Sequence, residues 1–235
     1  MPTFSSFNAF GSEAKNVAQS HIPVWLGVVG PVPVGGTLDK TYARKGFLLG
    51  AGAPVNLADK IIKPFVGYEV VAYTGAGASD TYDTIVVKPA VFGDVVIAPA
   101  AEDIVQKVGA TFATTGAARA VYSSTLITEG TNAGCYTVLI AKSANLGSLN
   151  AGDVLTPSAG TAGASGKSIA VQPNGYLYND IYFGALDGNA NNFDLAATGA
   201  VVMYHHEGLL VELTPSAPVK DQMKAVVPGV LQVLV

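Results

Sequence analysis

Gly67-Tyr68-Glu69-Val70-Val71-Ala72-Tyr73 is the stretch that decides the fold class. Successive side chains of a strand point to opposite faces, so Glu69, Val71 and Tyr73 are expected to share one side. Its β-branched and aromatic residues suit a pleated, half-buried surface. Outward from it, similar segments recur at Ile22 to Val29, Gly46 to Gly50, Thr84 to Lys88, Asp94 to Ala98, Ala120 to Leu126 and Tyr136 to Lys142. Others follow at Ser168 to Val171, Tyr176 to Phe183, Val201 to His205 and Leu209 to Leu213. Turn-forming Gly, Pro, Asn and Asp separate them. Many short strands at this spacing predict a mainly β protein, an antiparallel sandwich or a barrel-like body.

Two segments carry helix signals. Ala101 to Val108 places Glu102 and Asp103 near the positive end of a helix and Lys107 near the other, which predicts two helical turns. Ser216 to Val227 has a capping Ser216, Pro218 in the first turn, and Val219, Met223 and Val226 on one face, with Pro228-Gly229 to end it. The apolar run Val230 to Val235 follows as a final strand. Left bare at a sheet edge it would aggregate, so it is expected inside a sheet or at a subunit contact.

Residues 1–21 read as an N-terminal arm, in which Phe4, Phe7 and Phe10 recur among Ser, Asn and Gly with too few apolar neighbours for a core of their own. Those rings dock either on the chain's own body or on a neighbouring subunit. The body, residues 22–235, is expected as one β unit or two, with a boundary or a long loop at 157–167, where small and polar residues offer nothing to a core. Gly46 to Val55 and Gly152 to Thr156 read as echoes of one strand-turn unit, though turn chemistry alone also makes short β segments look alike.

Composition narrows the function. The chain is 49% hydrophobic and 13% charged, against about 25% charged in an ordinary soluble domain. Part of its surface is therefore expected to meet protein. A net charge of −4 opposes general affinity for nucleic acid, where neutralising cations supply most of the binding. No apolar run approaches the roughly eighteen residues of a membrane span, and the first twenty residues lack the pattern of a secretion signal. Cys135 is the only cysteine, so no intrachain disulfide can form.

No motif yields a catalytic residue. Gly166-Lys167-Ser168 resembles the end of a phosphate loop, but the required first glycine falls on Thr161 and a strand pattern follows instead of a helix. His205-His206-Glu207 clusters titratable groups, yet on a strand only His205 and Glu207 share a face and a zinc site needs more ligands. Asp187 to Asp194 resembles a calcium loop until Thr198 falls where a bidentate Glu must close the site. Cys135 has no cationic neighbour in sequence to lower its pKa and reads as a half-buried hydrophobe. The expectation is no enzyme, no metal and no cofactor.

A family resemblance supplies what chemistry does not. His206-Glu207-Gly208-Leu209-Leu210, the Ser216 to Val227 helix, Pro228-Gly229 with its final strand, and Lys45 to Val55 (KGFLLGAGAPV) resemble head-fibre and auxiliary capsid proteins of tailed phages, notably the crAss-like group. The turn Pro-Ala-Gly-Thr-Pro common in that family stands here as Gly50-Ala51-Gly52-Ala53-Pro54, without the first proline and the hydroxyl. The resemblance implies a structural virion protein, made in the host cytoplasm, that decorates the outer capsid as a homotrimer and contacts the major capsid protein. Phe4, Phe7, Phe10 and Trp25 are the candidate partner-contact residues. The rival expectation is a carbohydrate-binding β module stacking sugars on Trp25, Tyr176, Tyr178 and Tyr182, or a receptor-binding virion protein.

Overall fold

The structure, a computed structural model, describes residues 25–29, 32–39, 47–49, 51–75, 80–92, 95–142, 149–178, 181–183, 198–203, 207–211 and 217–233. In chain order the first strands are β1 (Trp25–Val29), β2 (Val32–Leu38), β3 (Phe47–Leu49), β4 (Pro54–Ala58), β5 (Ile61–Pro64) and β6 (Tyr68–Thr74). Then come β7 (Tyr82–Val87), β8 (Ala90–Phe92), β9 (Val95–Ile97), β10 (Ile104–Lys107), β11 (Arg119–Leu126) and β12 (Tyr136–Ala141). The last are β13 (Val154–Pro157), β14 (Gly175–Leu177), β15 (Ile181–Phe183), β16 (Thr198–Met203), β17 (Glu207–Val211), helix α1 (Ala217–Val226) and β18 (Val230–Val233).

The protein is mainly β and its body is barrel-like. Six strands close an antiparallel barrel in the order β10-β11-β12-β7-β6-β13, and five close a second in the order β14-β16-β2-β5-β4. The six-stranded ring draws all its strands from residues 68–157, whereas the five-stranded ring takes β2, β4 and β5 from before that segment and β14 and β16 from after it. One barrel is thus inserted into the other. Where the chain returns, the Asn174 side chain accepts from Leu57 N–H at 2.8 Å and donates to Leu57 C=O at 2.9 Å, fixing the late strand to the early one.

Alternation builds the shared core. Tyr68, Val70, Ile85, Val87, Val105, Val121, Val138, Ile140 and Leu155 are buried in one cluster that continues into the other ring through Leu38, Val55, Ile62 and Leu177. A register shift between Val70 and Ala72 interrupts the pattern and sets Tyr73 opposite the buried Ile85. Tyr73 therefore does not share the face of Glu69 and Val71: one extra residue flips every side chain beyond it. The β4–β5 hairpin turns on Asp59 and Lys60, at φ 51° and 60°, the left-handed pair that matches strand twist in a two-residue loop. Gly36 lies against that turn, and a Cβ there would meet the Lys60 carbonyl oxygen at 2.7 Å.

A second core lies outside the barrels. Val154 and Tyr176 sit beside the inward Leu155 and Leu177 but point the other way, joining Phe65, Val108, Phe112, Ile169 and Val171 beneath α1. The helix contributes Val219 and Met223, followed by Val227 and Val230 just beyond it. The helix expected over Ser216 to Val227 is thus present. It forms the crossover between β17 and β18, which pair in parallel from Gly208 with Val230 to Val211 with Val233; parallel neighbours require such a connection.

The helix expected over 101–108 is absent, because this segment is a turn followed by β10. Val105 faces the barrel core while Gln106, fully buried, donates to the Lys167 carbonyl and accepts from the Ser158 hydroxyl. Strand pairing on both sides, to β11 and β13, overrides the charge pattern. The single strand expected over Tyr176 to Phe183 is two short ones in different sheets, β14 and β15. Ser168 to Val171 makes only one bridge, Ser158 with Ile169, instead of a strand. Of the stretch 157–167, Pro157 ends β13 and the remaining residues form a long loop folded back on the body, with Gly163 N–H bonded to Ala118 C=O and Ala118 N–H to Ala164 C=O.

One turn occurs three times. Gly52, Glu102 and Gly152 all have positive φ, at 81°, 71° and 89°. Their N–H groups donate to Leu177, Val121 and Val70, whose own N–H groups donate back to the carbonyls of Ala53, Asp103 and Asp153. Three residues on, Val55, Val105 and Leu155 are buried in the core. The two echoes expected at Gly46 to Val55 and Gly152 to Thr156 thus have a third member, which breaks the pattern only in carrying Glu102 where the others carry glycine.

Candidate functional site

Lys167 N–H donates to Gly116 C=O and its carbonyl accepts from Gly116 N–H and Gln106, so this backbone is committed to the body and does not wrap a phosphate. Cys135 is half-buried ahead of β12, its N–H bonded to Asn132 C=O. Among the described residues no group of three His, Cys, Asp or Glu is gathered as metal ligands would be, and no helix is long and apolar enough to cross a membrane. His205, His206 and Asp187 to Asp194 lie outside the described residues, as do Phe4, Phe7 and Phe10 and the arm that carries them. Trp25 opens β1 opposite Leu210 of β17, at a register shift between Trp25 and Gly27.

The sugar-stacking face expected from Trp25, Tyr176, Tyr178 and Tyr182 does not assemble as such. Tyr176 is 2% exposed and belongs to the core under α1, while Tyr182 lies in β15, paired with Leu48 of β3, in a different sheet from β14. The reason is local: β14 is covered on both sides, so every side chain in it is buried.

An aromatic surface forms elsewhere, on the wall of the six-stranded barrel. Tyr122 is 58% exposed, the largest exposure of any big apolar side chain among the described residues. It falls in a register shift of β11 between Val121 and Ser123. Its ring stacks on that of Tyr82 in β7, centroids 4.3 Å apart and planes 22° from parallel. Strand β12 runs between these two strands and presents Ala141 opposite Tyr82, small enough for rings two strands apart to meet over it. Leu126, also exposed, does not extend this surface: opposite Tyr136, it lies on the other face of β11.

The rim of this surface is polar. Glu102 and Asp103 are tied to Val121, next to Tyr122, and Lys142 is tied through its N–H to Thr81, next to Tyr82. On the other face of the wall, opposite Ile85, Tyr73 directs its hydroxyl to Asp83 at 3.4 Å. Burial, reinforced by the Asp83 carboxylate, raises the Tyr73 pKa above its ordinary 10.0, and the hydrogen bond with Tyr122 raises that of Tyr82. Both rings are therefore neutral donors at physiological pH. Large rigid rings of this kind bury area at low entropic cost when another surface covers them. Sequence reading missed this pair because its signal is a bulge, which alternation alone does not reveal.

In comparison with known proteins, no family model matches this chain, and neither does any curated protein sequence or solved structure.

Proposed function

We propose that this protein is a structural, non-enzymatic virion component that decorates the outer surface of a bacteriophage capsid as a homotrimer and binds the major capsid protein. The observation that carries the reading is the stack of the exposed Tyr122 on the half-buried Tyr82 on a closed barrel wall. A closed barrel has no need of an exposed aromatic pair for its own stability, and single scattered apolar residues would require no explanation. The low charge of the chain and the resemblance over Lys45 to Val55, His206 to Leu210, Ser216 to Val227, and Pro228-Gly229 with its final strand support the same reading. Trp25 and the rings of Phe4, Phe7 and Phe10 belong to this contact set, and the protein acts on the virion after synthesis in the host cytoplasm.

The test is cosedimentation of purified protein with assembled shells of a crAss-like phage major capsid protein. Wild type is expected to pellet at a fixed ratio to shell subunits. Tyr122→Asp, which buries a charge at the centre of the contact, is expected to bind at least about tenfold more weakly, because central aromatic anchors contribute about 2 kcal/mol or more. Wild-type protein that stays in the supernatant would overturn the assignment.

A further inference from the structure

The barrels have closed edges, but among the described residues the small sheet β1-β17-β18 does not. Among the described residues, β1 pairs with β17 alone and β18 pairs with β17 alone, so each has an outer side on which no described strand lies. Natural edge strands are blunted by lysine, proline or an inward charge. Here the two outer strands read Trp25-Leu26-Gly27-Val28-Val29 and Val230-Leu231-Gln232-Val233, with no charge and no proline in either. A register shift between Trp25 and Gly27 is the only irregularity along β1. The outer strand β18 is also held firmly, since Val230 is 2% exposed in the core under α1 and its N–H bonds Val227 C=O at 3.1 Å.

The two edges complement each other. Strand β1 is antiparallel to β17 and β18 is parallel to it, so β1 and β18 run in opposite directions. Copies related by rotation about an axis along these strands bring β18 of one beside β1 of the next in antiparallel orientation, the slightly more stable ladder. We propose that β18 of one copy pairs with β1 of a second copy, and that the contact repeats head to tail until the ring closes. Three copies give a nine-stranded intersubunit barrel in which neither edge is left open, as closure requires. The alternative two-fold pairing of β18 with itself would leave both β1 edges bare. This inference rests on the self-association in the proposed function and not on capsid binding.

Disulfide trapping tests it in the full chain. Within one copy β1 and β18 are separated by β17, hence by about 9.6 Å, beyond the roughly 7 Å reach of a disulfide. A bond between them must therefore join two molecules. In a Cys135→Ser background, Val28→Cys is combined in turn with Leu231→Cys, Gln232→Cys and Val233→Cys, oxidised, and run without reductant beside native mass measurement. The expected result is a covalent trimer in at least one register. A trimer by native mass with no covalent species in any register would overturn the edge pairing while leaving self-association intact. A covalent dimer from Gln232→Cys alone would replace it by two-fold pairing of β18. A monomer at micromolar concentration would sink both the pairing and the trimer.

Discussion

The six-stranded barrel contains two halves built alike, β10-β11-β12 and β13-β6-β7, and they differ where the candidate contact lies. Each half begins with the same turn, at Ala101-Glu102-Asp103 and Ala151-Gly152-Asp153, and each turn exchanges two backbone bonds with the residue that precedes a bulge, Val121 or Val70. The aspartates act alike too, accepting from Ala100 N–H and Asn150 N–H at 2.7 Å. The bulges are not alike. One carries Tyr122, 58% exposed and stacked on Tyr82; the other carries the half-buried Val71. Positions facing the core and bonding the turn are held constant by packing and by backbone satisfaction. The bulge, whose side chain does neither, is where the halves are free to diverge, and the proposed contact sits there.

Equivalence of the cores can be broken first. Leu155→Ala is expected to cost about 3 kcal/mol and Val105→Ala about 2 kcal/mol, because both side chains are buried at the same step of the two halves. Urea midpoints at unchanged slope measure this, and a cost near zero at either position would end the comparison. The turn aspartates come next: Asp153 also holds Lys107 at 2.7 Å and is the less exposed. Asp153→Ala should therefore lose about 1.5 kcal/mol and Asp103→Ala about 0.5 kcal/mol.

The third test exchanges the turns. A Cβ on Gly152 would meet nothing within 4 Å, so Gly152→Ala reports left-handed strain alone and is expected to cost about 1 kcal/mol. Glu102→Gly, relieving that strain, is expected to gain about 0.5 kcal/mol after the entropy of the freer unfolded chain is counted.

The smallest expected effect on stability is at the bulge itself. Tyr122→Val, which makes one half resemble the other, should change neutral-pH stability by less than about 0.5 kcal/mol while weakening shell binding. It should also return Tyr82 toward its ordinary pKa, visible in the ultraviolet titration of phenolate. Well below pH 10 Tyr82 is neutral both folded and unfolded, so its contribution is whole. Above it Tyr82 ionises first in the unfolded chain, and the stabilisation is lost progressively until its folded, raised pKa is passed. The alkaline limb of the stability curve is therefore expected to be shallower in Tyr122→Val, and an unchanged limb would detach Tyr82 from Tyr122.

Strands with one wet face were legible. Ala120 to Leu126 and Tyr136 to Lys142 are read within one residue of β11 and β12, because alternation and β-branched content agree there. Strands covered on both faces were read less sharply: β14 was merged with β15 into one strand over Tyr176 to Phe183, and β13 showed only as part of a strand-turn unit at Gly152 to Thr156, because both separate the barrel core from the α1 core and period-two alternation vanishes there. The turn before β10 was misread because Glu102 hides a left-handed position that glycine announces at 52 and 152. For the contact, Trp25 is placed on an outer strand, while the Tyr82–Tyr122 stack depends on a one-residue bulge and on Ala141 between the rings, a juxtaposition that sequence spacing does not encode.

The nesting of one barrel within the other has a consequence for synthesis. A ribosome adding residues in order delivers all six strands of the inner ring by Pro157, when the outer ring still lacks β14 and β16. The inner ring can close on the nascent chain, and in doing so it brings Phe65 and Ile169 to the same core from either side of its insertion. What would otherwise be a search across more than a hundred residues of loose polymer becomes a short one, with a finished domain serving as the clasp.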